Sequence, residues 1–453
     1  MIVSNIIQAR NCSSISKLYD VVIVGGGMVG NAMAAALGTS KRMANSKILL
    51  LEAGKTQQLL KKTEIYSNRV SAVSPASVDL FKKLGVWDTI SSYRAQPVEE
   101  MHVMDDCSQS NIFFEPDPSS KVIAHIIENN VIISSLCDKT SKLKNIEMRD
   151  NVVVESIKLP ESLGNLAEIK LRDGSFISTN LVIGADGFKS SVRNAMGVNY
   201  TTWEYDQMGL VATLKINAYG LKNNTAWQRF TPLGPLALLP LSDNYSSLVW
   251  TTSPENAKKL LGLKEDEFVD ELNYHLQTET NQNSCVNQIL FGFEKFINCL
   301  PLGTATNEAS LASGVKIPNV LSLQTDTRAA FPLGFGHAHN YIAPRSVIIG
   351  DAAHRMHPLA GQGVNLGWSD VRILVNIIEK TMAEGGDIGS LTYLKEYENE
   401  AQRHNLPVMV GVDWLNRLYR TDFTPVVMAR SLGLFTVNKL TPLKDLLVYT
   451  ASH

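Results

Sequence analysis

Cysteine is scarce in this chain. The five that occur, Cys12, Cys107, Cys137, Cys285 and Cys299, are odd in number and form no C-x-x-C pair. That excludes a disulfide scaffold and a zinc-site spacing, and it implies a reducing compartment with mostly inert, buried thiols. An excess of either charge is missing too. The formal net charge is −2, so no strong field is implied, which argues against a nucleic-acid binder. Acids are absent from the first 19 residues, where Arg10 and Lys17 are the cations and Asp20 is the first carboxylate. There Ile2, Val3, Ile6 and Ile7 would share one helical face, interspersed with Ser4, Ser13, Ser14 and Ser16. Residues 1–19 thus have the composition of a mitochondrial transit segment; an ordinary frayed terminus has it too, and both readings stand. No run reads as a membrane span. Val21–Ser40 is uncharged and about long enough, but it holds five glycines and changes from β-branched to Ala/Met-rich residues, which suits a strand, a turn and a helix.

What is present is a chain of 453 residues, 44% hydrophobic and 19% charged, enough for a sizeable core in two or three domains or one large α/β enzyme with an insertion. Tyr19–Val24 reads as a strand buried on both faces, Met28–Leu37 as a helix and Lys47–Leu51 as the next strand, a βαβ unit. Further helices are expected at 75–84, closed by Gly85, and at 131–143. Residues 95–120 suggest strands broken by Pro97, Pro116 and Pro118, and 152–159, 167–171 and 181–183 suggest more. From about 200 to 325 short alternating strands dominate, with one helix at 265–277. A buried strand returns at 347–349, a long helix at 362–379, and the chain beyond 400 reads as helical.

Three motifs carry the chemistry. In Gly25-x-Gly27-x-x-Gly30, between strand and helix, Gly25 permits a tight turn, Gly27 a close diphosphate and Gly30 close packing of helix on strand. The helix N-terminus then offers free N–H groups to the phosphates. Glu52, ending the next strand, is placed to accept both ribose hydroxyls and to repel a 2′-phosphate, which excludes NADP as the tightly held dinucleotide but leaves NAD and FAD open. The second motif is Leu181-Val-Ile-Gly-Ala-Asp186-Gly187, followed by Ser190 and Arg193. The third is Val347-Ile-Ile-Gly350-Asp351-Ala-Ala-His354, continuing through His357-Pro358, Gly361-Gln-Gly363, Val364 and Asn365. Asp351 can bind polyol hydroxyls, and the N–H groups of Val364 and Asn365 would face outward at a helix start, where negative charge is stabilised. His354 and His357 read as structural, and His337 and His339 lack a third metal ligand.

In this order the three motifs resemble those of FAD-dependent aromatic-ring hydroxylases of the para-hydroxybenzoate hydroxylase type, from about Asp20 to Gln402. The resemblance implies an α/β fold: a Rossmann-type FAD domain (20–94, 119–198, 326–400), an inserted antiparallel substrate domain (95–118, 199–325) and a helical segment (401–453). It implies that Asp351 binds the ribityl chain, that the Asp186-Gly187 turn lies near the diphosphate and serves nicotinamide access, and that Arg69 reaches the FAD region. Asn130 stands where related flavoproteins often carry arginine. A narrower likeness, in Arg229–Leu241, Ser247–Trp250 and Phe331-Pro-Leu333, is to the ubiquinone-biosynthesis hydroxylases of mitochondria. It implies C5-hydroxylation of a polyprenyl-hydroxybenzoate by a flavin C4a-hydroperoxide, with O2 as co-substrate and electrons from a ferredoxin system or NAD(P)H. It also implies a biosynthetic complex on the matrix side of the inner membrane. Leu239, Pro240 and Trp250 are the expected substrate wall, although residue type alone reads them as ordinary core. A prenyl-chain reductase and a non-catalytic flavin scaffold are the competing readings.

Overall fold

The computed structural model describes residues 17–116, 120–161, 164–278, 282–298 and 317–439. Residues 1–16 of the expected transit segment lie outside the described residues. Lys17–Tyr19 instead belong to the first strand, Lys17–Val24, where the Tyr19 hydroxyl donates to Glu147 at 2.7 Å.

That strand is central in an eight-stranded sheet and parallel to both neighbours, Ile48–Leu51 and Phe176–Gly184. Val21, Val22 and Ile23 are fully buried, because helices cover both faces of a parallel sheet. Ser346–Ile348 lies parallel to Phe176–Gly184 on its far side. The register decides what these strands can do. Val24 sits opposite both Leu51 and Gly184, and Gly184 opposite Ile348, so four parallel strands end level. The loops that follow them, each carrying one of the motif residues, therefore emerge side by side at the carboxyl edge, where open α/β sheets bind ligands.

A nine-stranded sheet lies apart. Its core is Tyr200–Asn217, Tyr245–Thr252, Gly234–Ser242 and Thr225–Thr231, all antiparallel neighbours, with Glu100–Asp105 added parallel to Thr225–Thr231. Gln96–Val98 joins instead a three-stranded sheet with Val70–Val73 and Ala124–Glu128. Pro97, expected as a break, lies inside this edge strand, where its missing N–H is tolerated. Ala329–Ala338 and His354–Arg355 pair into the nine-stranded sheet although they fall within 326–400: the chain crosses between sheets twice there.

The helix Glu265–Gln277 is present as expected, flanked by two that were not, Pro254–Gly262 and Ser284–Asn298. The first carries a legible start signal, Ser253 capping the Asn256 N–H with Pro254 in the first turn. Gly363–Ala383, Leu391–Tyr419 and Thr424–Lys439 complete the described chain. The last of these packs against the edge strand Asn111–Phe114.

Candidate active site

The first loop is shaped by what its glycines exclude. Gly25 has φ +104°, and a Cβ there would stand 2.4 Å from the Ala185 carbonyl oxygen; at Gly30 it would stand 1.8 Å from the Gly25 oxygen. A Cβ on Gly27 would meet nothing within 4 Å, so this residue faces open space. Met28–Thr39 starts directly after it with no side-chain cap, leaving first-turn N–H groups free for a ligand. Glu52 accepts from the Gly26 N–H at 2.6 Å and the Gly54 N–H at 2.7 Å. A carboxylate has about four acceptor sites, so two remain for hydroxyls.

The second loop is a clamp. Asp186 accepts from the Ser191 N–H and hydroxyl, both at 2.7 Å, and so starts the short helix Ser191–Met196. Arg193 is buried; its guanidinium donates to the Ala352 and Phe188 carbonyls at 2.8 and 2.6 Å and lies 3.8 Å from the Tyr200 ring centroid. One side chain thus ties the second motif to the third.

The third loop turns at Gly350, φ +59°. Asp370, fully buried, accepts from the Gly350 N–H at 2.8 Å, from His354 Nε2 at 2.7 Å and from Asn405 at 2.8 Å. Burial opposes a charge on His354, but the Asp370 carboxylate outweighs it and raises the imidazole. His357 has the opposite fate: burial pushes it down to about 4. Both histidines are buried, and neither lines the cavity. Asp351 opens into the cleft while protein encloses it otherwise, and this desolvation raises its carboxyl. Asn365 does more than offer a backbone N–H. Its side chain accepts from the Ser77 hydroxyl at 2.8 Å and donates to the Ala72 carbonyl at 2.8 Å, locking the helix start to the Val70–Val73 strand.

A single cavity of about 1330 Å³ connects these parts. Gly27, Arg69, Gly187, Asp351, Pro358, Gly361, Gly363, Val364 and Asn365 all line it, and so does Leu239. Gly25, Gly30, Glu52, Asp186 and Gly350 do not line it. Trp250 and Pro240 require correction. Strand residues alternate faces, and the cavity side of these two strands is Pro235, Ala237 and Leu239 with Ser247, Val249 and Thr251. Trp250 points the other way, into a second core with Leu236, Leu238 and Phe268, its ring 5.2 Å from His275. Pro240 shares the parity of Leu238 and does not line the cavity.

Several cavity residues escaped sequence reasoning. Ser247 Oγ is buried without a hydrogen-bond partner on this wall, opposite Leu239. Arg430 lines the far end and forms a two-pronged, fully buried pair with Asp105, both bonds 2.9 Å. Glu128, buried, accepts from Arg94 at 2.8 Å and from the Ser67 N–H at 2.6 Å, fixing the loop that carries Arg69. Asn129, not Asn130, reaches the cavity; Asn130, in the first turn of its helix, accepts from the Val131 N–H at 2.9 Å. Among the described residues no group of three or more His, Cys, Asp or Glu could hold a metal ion.

A family model described as an FAD binding domain matches residues 18–291 and 309–409. The chain is 52% identical over 451 residues to the Caenorhabditis elegans ubiquinone biosynthesis monooxygenase COQ6, covering 99% of this chain and 98% of that protein. It is 40% identical to the human COQ6 protein, covering 97% and 94%. The chain belongs to the COQ6 family of FAD-dependent monooxygenases. Solved structures agree on the fold: p-nitrophenol 4-monooxygenase PnpA from Pseudomonas putida superposes with a TM-score of 0.68 at 18% identity, over 97% of this chain and 99% of that one. PqsL from Pseudomonas aeruginosa gives 0.67 at 18%, over 93% and 100%.

Membership in the COQ6 family makes FAD the cofactor and the chain a flavoprotein monooxygenase. The residues fit that group. The open space at Gly27, the uncapped helix start beside it and the Asp351 carboxylate are spaced along one cleft, as a diphosphate followed by a polyol requires.

Proposed function

We propose that this monooxygenase hydroxylates a polyprenyl-hydroxybenzoate ring at C5 in ubiquinone biosynthesis, on the matrix side of the mitochondrial inner membrane. The observation that carries the reading is the cavity's continuity. From Gly27 and Asp351 it runs into an apolar arm between the nine-stranded sheet and the C-terminal helices, past Val103, Ile112, Phe230, Leu434 and Val437. Its volume, about 1330 Å³, exceeds the roughly 300–1000 Å³ of ordinary small-molecule sites, leaving room for a cofactor and a long apolar substrate together. The relatives, mitochondrial monooxygenases of ubiquinone biosynthesis, support the same assignment.

In this reading Glu52 accepts from the ribose hydroxyls, Gly25–Gly30 and the helix behind them hold the diphosphate, and Asp351 binds the ribityl chain. The Asp186-Gly187 turn and Arg69 border the cofactor. Pro358, Gly350, Gly361 and Gly363 shape the loop that presents the Val364 and Asn365 N–H groups to the flavin edge, where they stabilise negative charge. Bound and reduced, FAD supplies the electrons with which O2 is activated, one oxygen atom passing to the ring and the other to water. The apolar walls exclude bulk water, and Ser247 Oγ offers a hydrogen bond to a ring hydroxyl. Electrons come from a ferredoxin and its reductase or from NAD(P)H, within a biosynthetic complex.

The test is purified chain with FAD, a prenylated 4-hydroxybenzoate and each donor in turn, reading oxygen uptake and product mass. A ring hydroxyl formed with oxygen consumption is expected. A saturated prenyl chain without oxygen uptake would mark a reductase, and a flavin that no donor reduces would mark a scaffold; either result removes the proposal.

A further inference from the structure

One wall of the cavity is the inward face of Thr225–Thr231, Gly234–Ser242 and Tyr245–Thr252, and most of it is hydrocarbon. Strand parity sorts its side chains. Trp227 points away into the second core and Arg229 toward Asp106, so Gln228 between them faces the cavity. Gln228 is only 4% exposed, yet among the described residues its amide has no hydrogen-bond partner. Ser247 Oγ, two strands away, is also buried without one, and so is Thr213 Oγ1, directly across from Ser247 on the next strand. An unpaired polar group on a buried apolar wall costs stability. Three on one face mark a place where a ligand supplies the partners.

The register gives their spacing. Gln228 stands opposite Ala237 and Ser247 opposite Leu239, so the two flank Gly234–Ser242 on either side, one side-chain row apart. With strands ~4.8 Å apart and a rise of ~3.4 Å per residue, their Cα atoms stand roughly 12 Å apart. Both side chains reach inward from there, and the short Ala237 lies between them, which leaves room for one flat ring with a polar group at either end. The two ends differ in chemistry. A hydroxyl donates to or accepts from a phenol oxygen, whereas an amide adds two N–H donors, which suit an acceptor-only carboxylate. The cavity's cations do not compete for that place. Arg430 is held by Asp105 and by the Leu418 and Thr421 carbonyls. Arg355 donates to the Pro332 carbonyl at 2.8 Å and lies 4.7 Å from the Phe188 ring centroid. Arg69 borders the cofactor in the reading above.

We propose that Gln228 is a specificity-determining residue: its amide donates to the carboxyl group of a hydroxybenzoate whose ring hydroxyl lies at the Ser247 end. Held at two points, the ring has one orientation on the wall, and a phenol without the carboxyl group loses one of the two. The assignment rests on the hydroxybenzoate substrate proposed above.

The test compares a prenylated 4-hydroxybenzoate with the prenylated phenol that lacks its carboxyl group. Each is titrated against the FAD-loaded parent and against Gln228→Met, which keeps the side chain's length and removes its donors. The parent should favour the acid, both in kcat/KM and in the dissociation constant read from the flavin absorbance. Gln228→Met should keep its FAD and its fold. Its preference for the acid over the phenol should fall about tenfold or more, the weight of a hydrogen bond to a charged group. KM should carry most of that fall, because the bond exists before oxygen transfer as well as during it. Gln228→Glu, which sets a like charge against the carboxylate, should lower the preference further. A preference that Gln228→Met leaves intact, or an equal loss on both compounds, overturns the assignment. So does a parent that binds and hydroxylates both alike, and in that case the aromatic hydroxylation itself stands. A parent that hydroxylates neither compound removes the substrate reading, and the role of Gln228 with it.

Discussion

At the scale of single residues, the site separates those that shape the backbone from those that face the ligand. Gly27 has space for a side chain but no neighbour to meet it, so Gly27→Glu should fold and yet lose FAD, its carboxylate occupying and repelling the phosphate's place. Absorbance near the flavin bands after FAD reconstitution, with far-ultraviolet circular dichroism as the folding control, reads this directly. Full FAD content in the variant would contradict the assignment of the turn. Ser247 is the complementary case. Its buried hydroxyl has no protein partner, so Ser247→Ala should leave stability and FAD affinity unchanged. Substrate kcat/KM should fall about two- to tenfold, the worth of one neutral hydrogen bond. An unchanged kcat/KM would deny Ser247 any contact with substrate.

At the scale of elements, the helix Thr424–Lys439 is held to the nine-stranded sheet by the Arg430–Asp105 pair, which has no exposure to solvent to relieve it. Arg430→Ala would strand a buried carboxylate, at a cost of about 3–5 kcal/mol. The double variant Arg430→Met, Asp105→Asn should recover much of that loss, as the urea midpoint would report. If the single and double variants unfold alike, the stability lies in packing and not in the pair. This scale also explains what the sequence made legible. The strand–glycine–helix start, Asp351 at its strand end and the helix at 265–277 were readable because each is a local pattern. The faces of Gly234–Ser242 and Tyr245–Thr252 were not, because the first is apolar on both sides and the second mixes Ser or Thr with apolar residues on both: one face borders the cavity and the other a helical layer. Without alternation a sequence gives no parity, and Trp250, the largest apolar side chain in reach, drew the wrong inference. Arg430–Asp105 and Arg94–Glu128 join residues far apart in the chain, and nothing local marks such pairs.

At the scale of the whole molecule, acid should act through buried histidines. Burial holds His102, His337 and His357 down to about 4, against 6.5 when the chain is unfolded. Between pH 6.5 and 4 the unfolded chain therefore binds more protons, and stability falls as pH falls, by up to about 1.4 kcal/mol per pH unit for each histidine. His354 runs the other way: raised by Asp370, it contributes fully below 6.5 and loses its contribution as pH rises through its folded value. Urea midpoints at pH 7 and pH 5 should differ, and His102→Phe, which fits a site already shared with Phe113 and Trp227, should flatten the slope. An identical slope would exclude His102 as a source. Targeting belongs to this scale as well. Removing residues 1–16 should spare FAD binding and block organelle import, whereas cutting as far as Tyr19 should also cost stability, because Tyr19 and Lys17 both engage Glu147. Unchanged localisation of the shorter deletion would reject the transit reading.

The cavity has one more consequence. Two sheets and a helical tail meet around a cavity whose lining is mostly hydrocarbon, so a molecule bound there gains dispersion contacts from all three. Loading with FAD completes the packing of the interior as well as equipping the catalyst, and saturating cofactor, at about 100 times its dissociation constant, would stabilise the fold by ~2.7 kcal/mol. Cells short of riboflavin should therefore degrade this protein faster than they lose its activity per molecule, and its half-life should lengthen again when the vitamin returns.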